Sequence, residues 1–115
     1  MDSQKVFIYH FLYTYTYFIT IATNYRYNST IPIFQKFKNY VYGHDRNSHI
    51  FSVKEYTEKF HGLHYHVLVF TDKKLDYEKV HKHMPAHADI QIQLVPKTKR
   101  DIKKVLSYML KSKIT

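Results

Sequence analysis

Seventeen consecutive residues, Val6–Ala22, contain no Asp, Glu, Lys or Arg. The run approaches the length of a membrane span, which takes about 20 residues rich in Leu, Ile and Val. Its composition points elsewhere. His10 interrupts it, and Tyr13-Thr14-Tyr15-Thr16-Tyr17 supplies aromatic and β-branched side chains that favour strands. Thr16, Phe18, Thr20 and Ala22 alternate with Tyr17, Ile19 and Ile21, the period of a half-buried strand. No basic segment with a small-residue cleavage site is visible, so a signal peptide fits poorly. The run reads as one or two β-strands of a soluble, intracellular protein with no membrane partner, residues 1–13 being an extension or an extra strand.

The chain has 115 residues, the size of one domain, and at 44% hydrophobic and 17% aromatic it can bury a core. Cysteine is absent, which excludes a disulfide scaffold, a Cys-based zinc finger and a thiol nucleophile. A metal site must then be built from His and carboxylate, ligands suited to Mg²⁺, Mn²⁺ or Zn²⁺. Eighteen Lys+Arg against nine Asp+Glu give a net charge of +9. That balance favours a polyanionic partner, nucleic acid first.

Beyond the first strand, Ser29-Thr30 can cap a helix with Pro32 in its first turn. Ile33, Phe34, Phe37 and Val41 recur at helical spacing, and Gly43 stops them. His49–Thr57 and Leu63–Phe70 read as strands joined near Gly62 into a hairpin. A helix is expected over Lys74–Met84, ended by Pro85, then a strand over Ile90–Leu94 closed by Pro96. From about Thr98, Ile102, Val105, Leu106, Met109 and Leu110 form one apolar helical stripe. The order βαββαβα gives a single α+β domain over residues 1–115, with a mostly antiparallel sheet of about five strands and packed helices.

The chemistry concentrates in His61-Gly62-Leu63-His64-Tyr65-His66-Val67-Leu68-Val69-Phe70. On a strand His64 and His66 share a face, and two imidazoles so placed can grip one metal ion. With nine histidines in the chain, a His-x-His pair is weak evidence alone, and His81-Lys82-His83 is a second. That second pair falls on a helix, where positions i and i+2 diverge, so it reads as solvent-exposed. Glu55, on the paired strand, falls near the level of His64 and His66 and could complete the site. Each residue also has an ordinary reading, as a hydrogen-bonded core histidine or an exposed strand carboxylate.

On the last helix Tyr108 lies about 240° around from Ile102, with Lys111 and Lys104 at about 180° and 200°. Tyr108 thus borders the buried stripe beside two ammonium groups. A phenol has a pKa of about 10 and is a poor nucleophile until cations or a metal-held phosphate activate it. The ordinary reading is an amphipathic packing residue.

His64-Tyr65-His66 resembles the His-hydrophobic-His motif of the HUH endonucleases, and Tyr108-Met109-Leu110-Lys111 resembles the Tyr-x-x-Lys motif of their replication-initiator (Rep) branch. Phe18-Ile19-Thr20-Ile21-Ala22-Thr23-Asn24 is similar to the first-strand motif of the same proteins. The three stand in the family's order over about residues 15–112, and the size resembles compact Rep proteins of archaeal viruses such as rudiviruses. The resemblance implies a Rep/HUH-like (ferredoxin-like) fold and a metal-dependent nickase that cuts and rejoins single-stranded DNA in the host-cell cytoplasm. His64, His66 and Glu55 would then hold Mg²⁺ or Mn²⁺, with Glu58 and His61 as rivals for the third ligand. Tyr108 would attack, leaving a 5′-phosphotyrosine, and Lys111 would orient the phosphate. Lys97, Lys99, Arg100 and Lys104 would track the strand. One tyrosine on the last helix implies that a second cleavage needs a second subunit, hence a homodimer.

Two other readings compete. A single-tyrosine HUH transposase of an insertion sequence shares the His pair, although its motif usually lacks the lysine three residues after the tyrosine. A non-catalytic basic nucleic-acid-binding module accounts for the charge and the aromatics, and leaves the two motifs as coincidence.

Overall fold

A computed structural model describes residues 3–23, 30–57 and 62–114. Among them the chain runs α1 (Ser3–Leu12), β1 (Tyr15–Thr23), α2 (Thr30–His44), β2 (His49–Thr57), β3 (Gly62–Thr71), α3 (Tyr77–His83), β4 (Ala88–Leu94) and α4 (Lys99–Ile114). The strands form one antiparallel sheet in the order β2-β3-β1-β4. The described sheet is therefore α+β as expected, with four strands rather than about five.

The difference lies at the N-terminus. Residues 3–12 are helical instead of forming an extra strand. The aromatic and β-branched side chains there favour strands only weakly, and tertiary burial overrides that preference. Val6 and His10 are fully buried while Ile8 between them is 59% exposed; a helix turns position i+2 away from i and i+4, whereas a strand would put all three on one face. Ser29, the expected cap of α2, lies outside the described residues. α3 is shorter than Lys74–Met84 because Asp76 caps it, accepting from the backbone N–H groups of Glu78 and Lys79. Leu75 and Met84 are still buried, but in the flanking segments. α4 starts where expected: Thr98 accepts from Asp101 N–H at 3.0 Å, and its hydroxyl donates to the Asp101 carboxylate.

Side-chain alternation gives the sheet two covered faces. Tyr17, Ile19, Ile21, Tyr65, Val67, Val69 and Ile90 pack under α2 and α3. Leu68, Phe70 and Val53 pack on the other side with Val6 of α1 and with Ile102, Leu106 and Met109 of α4. Each such buried aliphatic contributes about 1.5–3 kcal/mol, so the α4 stripe anchors the last helix firmly. Among the described residues no helix is long and apolar enough to cross a membrane.

A polar staple joins the ends of the domain. The His10 ring is bonded on both nitrogens, to Thr16 Oγ1 at 2.8 Å and to the Pro96 carbonyl at 3.0 Å. Because a carbonyl only accepts, Nε2 carries the proton and Nδ1 accepts from the threonine. Lys97 donates its ammonium to the His10 and Tyr13 carbonyls and to Thr16 Oγ1. Burial, then the Lys97 charge, holds the His10 imidazole below the ordinary histidine value despite the opposing pull of the Pro96 carbonyl. Burial likewise lowers Lys97.

Candidate functional site

The register brings the chemistry together on the α1/α4 face. Glu55 of β2 is directly opposite His64 of β3, and His66 is opposite both Val53 and Thr20. Opposed residues of an antiparallel ladder point to the same side. Glu55, His64, His66 and Thr20 therefore share one face.

His66 is the centre of the cluster and is 2% exposed. Its Nε2 lies 2.5 Å from Glu55 Oε2 and its Nδ1 lies 3.5 Å from Thr20 Oγ1. With a carboxylate on Nε2, that nitrogen donates and Nδ1 accepts from the threonine hydroxyl. Phe18 stacks on the imidazole at 6.0 Å between centroids. Tyr108 meets the same imidazole edge to face at 5.2 Å, and meets Phe18 at 5.9 Å.

Tyr108 is 53% exposed, so its ring is seated on Phe18 and His66 while much of the side chain faces solvent. The preceding stripe explains this position: Ile102, Leu106 and Met109 are buried, and Tyr108 sits on their flank. Lys104 and Lys111, one turn to either side, are exposed. A cleft of ≈ 580 Å³ opens beside the tyrosine, with Phe18, Gln93, Leu94, Lys104 and Tyr108 among its walls.

His64 is half-buried on the same face, next to Glu55 in register but outside the His66–Glu55 bond. Among the described residues no three His, Asp or Glu side chains converge as the ligands of one ion. The donor set nevertheless suits a divalent ion: two imidazoles and a carboxylate share one face, and the Thr20 hydroxyl, able to accept as well as donate, would accept from Nδ1–H of His66 were Nε2 given to an ion. Glu58 and His61, the rivals for third ligand, lie outside the described residues.

The basic residues divide. Lys99 and Arg100 are exposed at the start of α4, with Lys104 further along it. Lys97 is exposed as a residue, but its ammonium is held by three oxygens of this chain. It is a staple of the fold and is not presented to a strand. His81 and His83 are both exposed.

Two contributors were not singled out from the sequence, Phe18 as a stacking platform and Thr20 as the partner of His66. The alternation of Thr16, Phe18, Thr20 and Ala22 was the available signal. It could not say which strand would lie alongside.

Three comparisons with known proteins agree. The family model described as Virus, 117-like matches residues 12–112. A protein of Sulfolobus islandicus rod-shaped virus 1, Uncharacterized protein 117, is 64% identical over 110 residues, covering 96% of this chain and 94% of its own length. The crystal structure of the hypothetical protein ORF119 from the same virus superposes with a TM-score of 0.84 at 63% identity, covering 98% of this chain and 95% of that one. The chain thus belongs to the Virus, 117-like family of viral proteins.

Proposed function

We propose that this protein is a Rep-type HUH endonuclease that nicks and rejoins single-stranded DNA through a tyrosine nucleophile. The observation that carries this reading is the contact of Tyr108 with His66, whose other side is bonded to Glu55. A nucleophile, two imidazoles and a carboxylate, drawn from α4, β3 and β2, face one patch of surface beside a basic helix.

In this reading the scissile phosphate sits between Tyr108 and the His64–His66–Glu55 face. Bound Mg²⁺ or Mn²⁺ supplies positive charge that polarises the phosphate oxygens. His66 is oriented by Thr20 and packed by Phe18, so it is preorganised before substrate arrives. The Tyr108 oxygen attacks phosphorus and releases its proton to solvent. The bond to the 3′-oxygen breaks, and that oxygen takes a proton from solvent. The product is a 5′-phosphotyrosine and a free 3′-hydroxyl, and attack by a 3′-hydroxyl reverses the step and rejoins the strand. Lys111 offsets charge on the transferring phosphate, and Lys99, Arg100 and Lys104 hold the strand electrostatically. A single tyrosine performs one attack at a time, so paired cleavages use a homodimer. The setting is the cytoplasm of the infected cell, where the viral DNA is copied.

The test is direct. Incubation with Mn²⁺ and single-stranded oligonucleotides is expected to give a covalent adduct on a denaturing gel, dependent on metal and absent for Tyr108→Phe. An adduct that persists in Tyr108→Phe overturns the nucleophile. Nicking that survives both His64→Ala and His66→Ala overturns the metal site.

A further inference from the structure

A second cleft, of ≈ 540 Å³, lies between α2 and α3, on the sheet face opposite to Tyr108. Its walls follow from helical spacing. Lys36, Asn39 and Gly43 form one stripe of α2, three and four residues apart, and Lys79 and His83 form one stripe of α3. Tyr40 and His44 complete the lining. No carboxylate lines it among the described residues, although Asp76 is near enough for its charge to act on Tyr40. The Asp76 carboxylate itself is occupied in capping α3.

The rings of the cleft are held in place. His44 Nε2 donates to the Lys74 carbonyl at 3.0 Å, and His83 Nδ1 donates to the Lys79 carbonyl at 2.7 Å. Each imidazole is thereby fixed with its other nitrogen left to a ligand. Tyr40 lies between them, parallel to His44 within 9° at 6.1 Å and tilted against His83 at 4.9 Å.

Gly43 gives the cleft its opening. It is helical, and a Cβ added there would meet no heavy atom within 4 Å. Glycine is a poor helix residue, and here neither a turn nor a close approach calls for it. What it does is keep that wall free of a side chain.

We propose that this cleft is a second nucleotide-binding site, with Lys36 and Lys79 on a phosphate and the Tyr40 ring cluster against the attached base. Two ammonium groups and an amide suit a phosphate, the remaining imidazole nitrogens suit the N–H donors of a base, the aromatic rings suit a flat heterocycle, and the volume falls within the range of small-ligand sites. The ligand is either a free nucleotide or one unit of a strand that passes behind the sheet. The site is independent of the Tyr108 reading.

The test follows the histidine side-chain NMR signals of the full chain at fixed near-physiological salt. Thymidine, inorganic phosphate, thymidine monophosphate and oligothymidylate are added in turn. The monophosphate or the oligonucleotide is expected to shift His44 and His83 saturably, with thymidine having little effect. Saturation by the monophosphate identifies a free-nucleotide site, and saturation by the oligonucleotide alone identifies a strand-tracking site. Gly43→Leu, which fills the cleft without backbone strain, is expected to weaken binding at least 10-fold at an unchanged or higher melting temperature. The Lys36→Ala/Lys79→Ala double variant is expected to do the same, and Tyr108→Phe to have no effect. Unmoved His44 and His83 signals, wild-type binding by both cleft variants, or inorganic phosphate binding as tightly as the nucleotide would each overturn the proposal.

Discussion

The imidazole of His66 is held on three sides, by Glu55 at 2.5 Å, Thr20 at 3.5 Å and the edge-to-face ring of Tyr108 at 5.2 Å. The strand-borne histidine and the helix-borne tyrosine meet although α3 and β4 separate them in sequence. Thr20 is the partner whose removal is most informative, because Thr20→Val keeps the shape and deletes the hydroxyl. Loss of such an outer contact typically costs about 10–100-fold in metal affinity. We expect Thr20→Val to weaken Mn²⁺ activation by that factor in the nicking assay, with the melting temperature little changed.

Lysines near the start of α4 should separate by role. Lys97→Met removes an ammonium that donates to His10, Tyr13 and Thr16. It should lower stability by about 1–3 kcal/mol, since two part-buried acceptors lose a charged donor. Lys104→Ala should leave stability nearly unchanged and reduce the salt slope of single-stranded DNA binding by about one contact. Chemical denaturation and binding at several salt concentrations distinguish the two.

The His10 staple predicts a pH dependence of stability. Its folded pKa lies below the unfolded value of 6.5, so the unfolded chain binds the proton more readily. Stability from this group is complete above 6.5 and is lost as pH falls from there through the folded pKa. The melting temperature should therefore drop on acidification below 6.5, and less steeply in His10→Gln.

Asp45 should be the costliest carboxylate to neutralise. Its oxygens accept from Thr71 Oγ1 at 2.7 Å, Asp72 N–H at 3.0 Å and Asn47 N–H at 3.0 Å. The Thr71 bond first, then the backbone donors and Lys73, hold it below the ordinary value of 3.8 against a burial penalty. Its contribution is present above 3.8 and fades as pH falls through the folded pKa. Asp45→Asn should cost about 1–3 kcal/mol at neutral pH, measured by urea denaturation.

Much of the sheet was legible in the sequence. The span of β2, the core of β3 and the alternation of β4 follow from side-chain period, and the near-level placement of Glu55 follows from counting back across a short turn. The α4 stripe likewise put Tyr108 at the border of the buried face. The helix over residues 3–12 was hidden because Tyr, Phe and Ile are at home in strands, and only packing of Val6 and His10 against distant elements decides the matter. Lys97 was hidden for a related reason. A charge in a basic run looks like a solvated face until the chain folds three oxygens around it.

The family match begins at residue 12, just where α1 ends. Yet α1 contributes Val6 to the cluster that seats Ile102, Leu106 and Met109, and its His10 is tied to the segment entering α4. A shortened chain starting after residue 12 would retain Glu55, His64, His66 and Tyr108 while losing the abutment behind the helix that carries the phenol. In this architecture the accuracy of the C-terminal end is guaranteed by the opposite terminus.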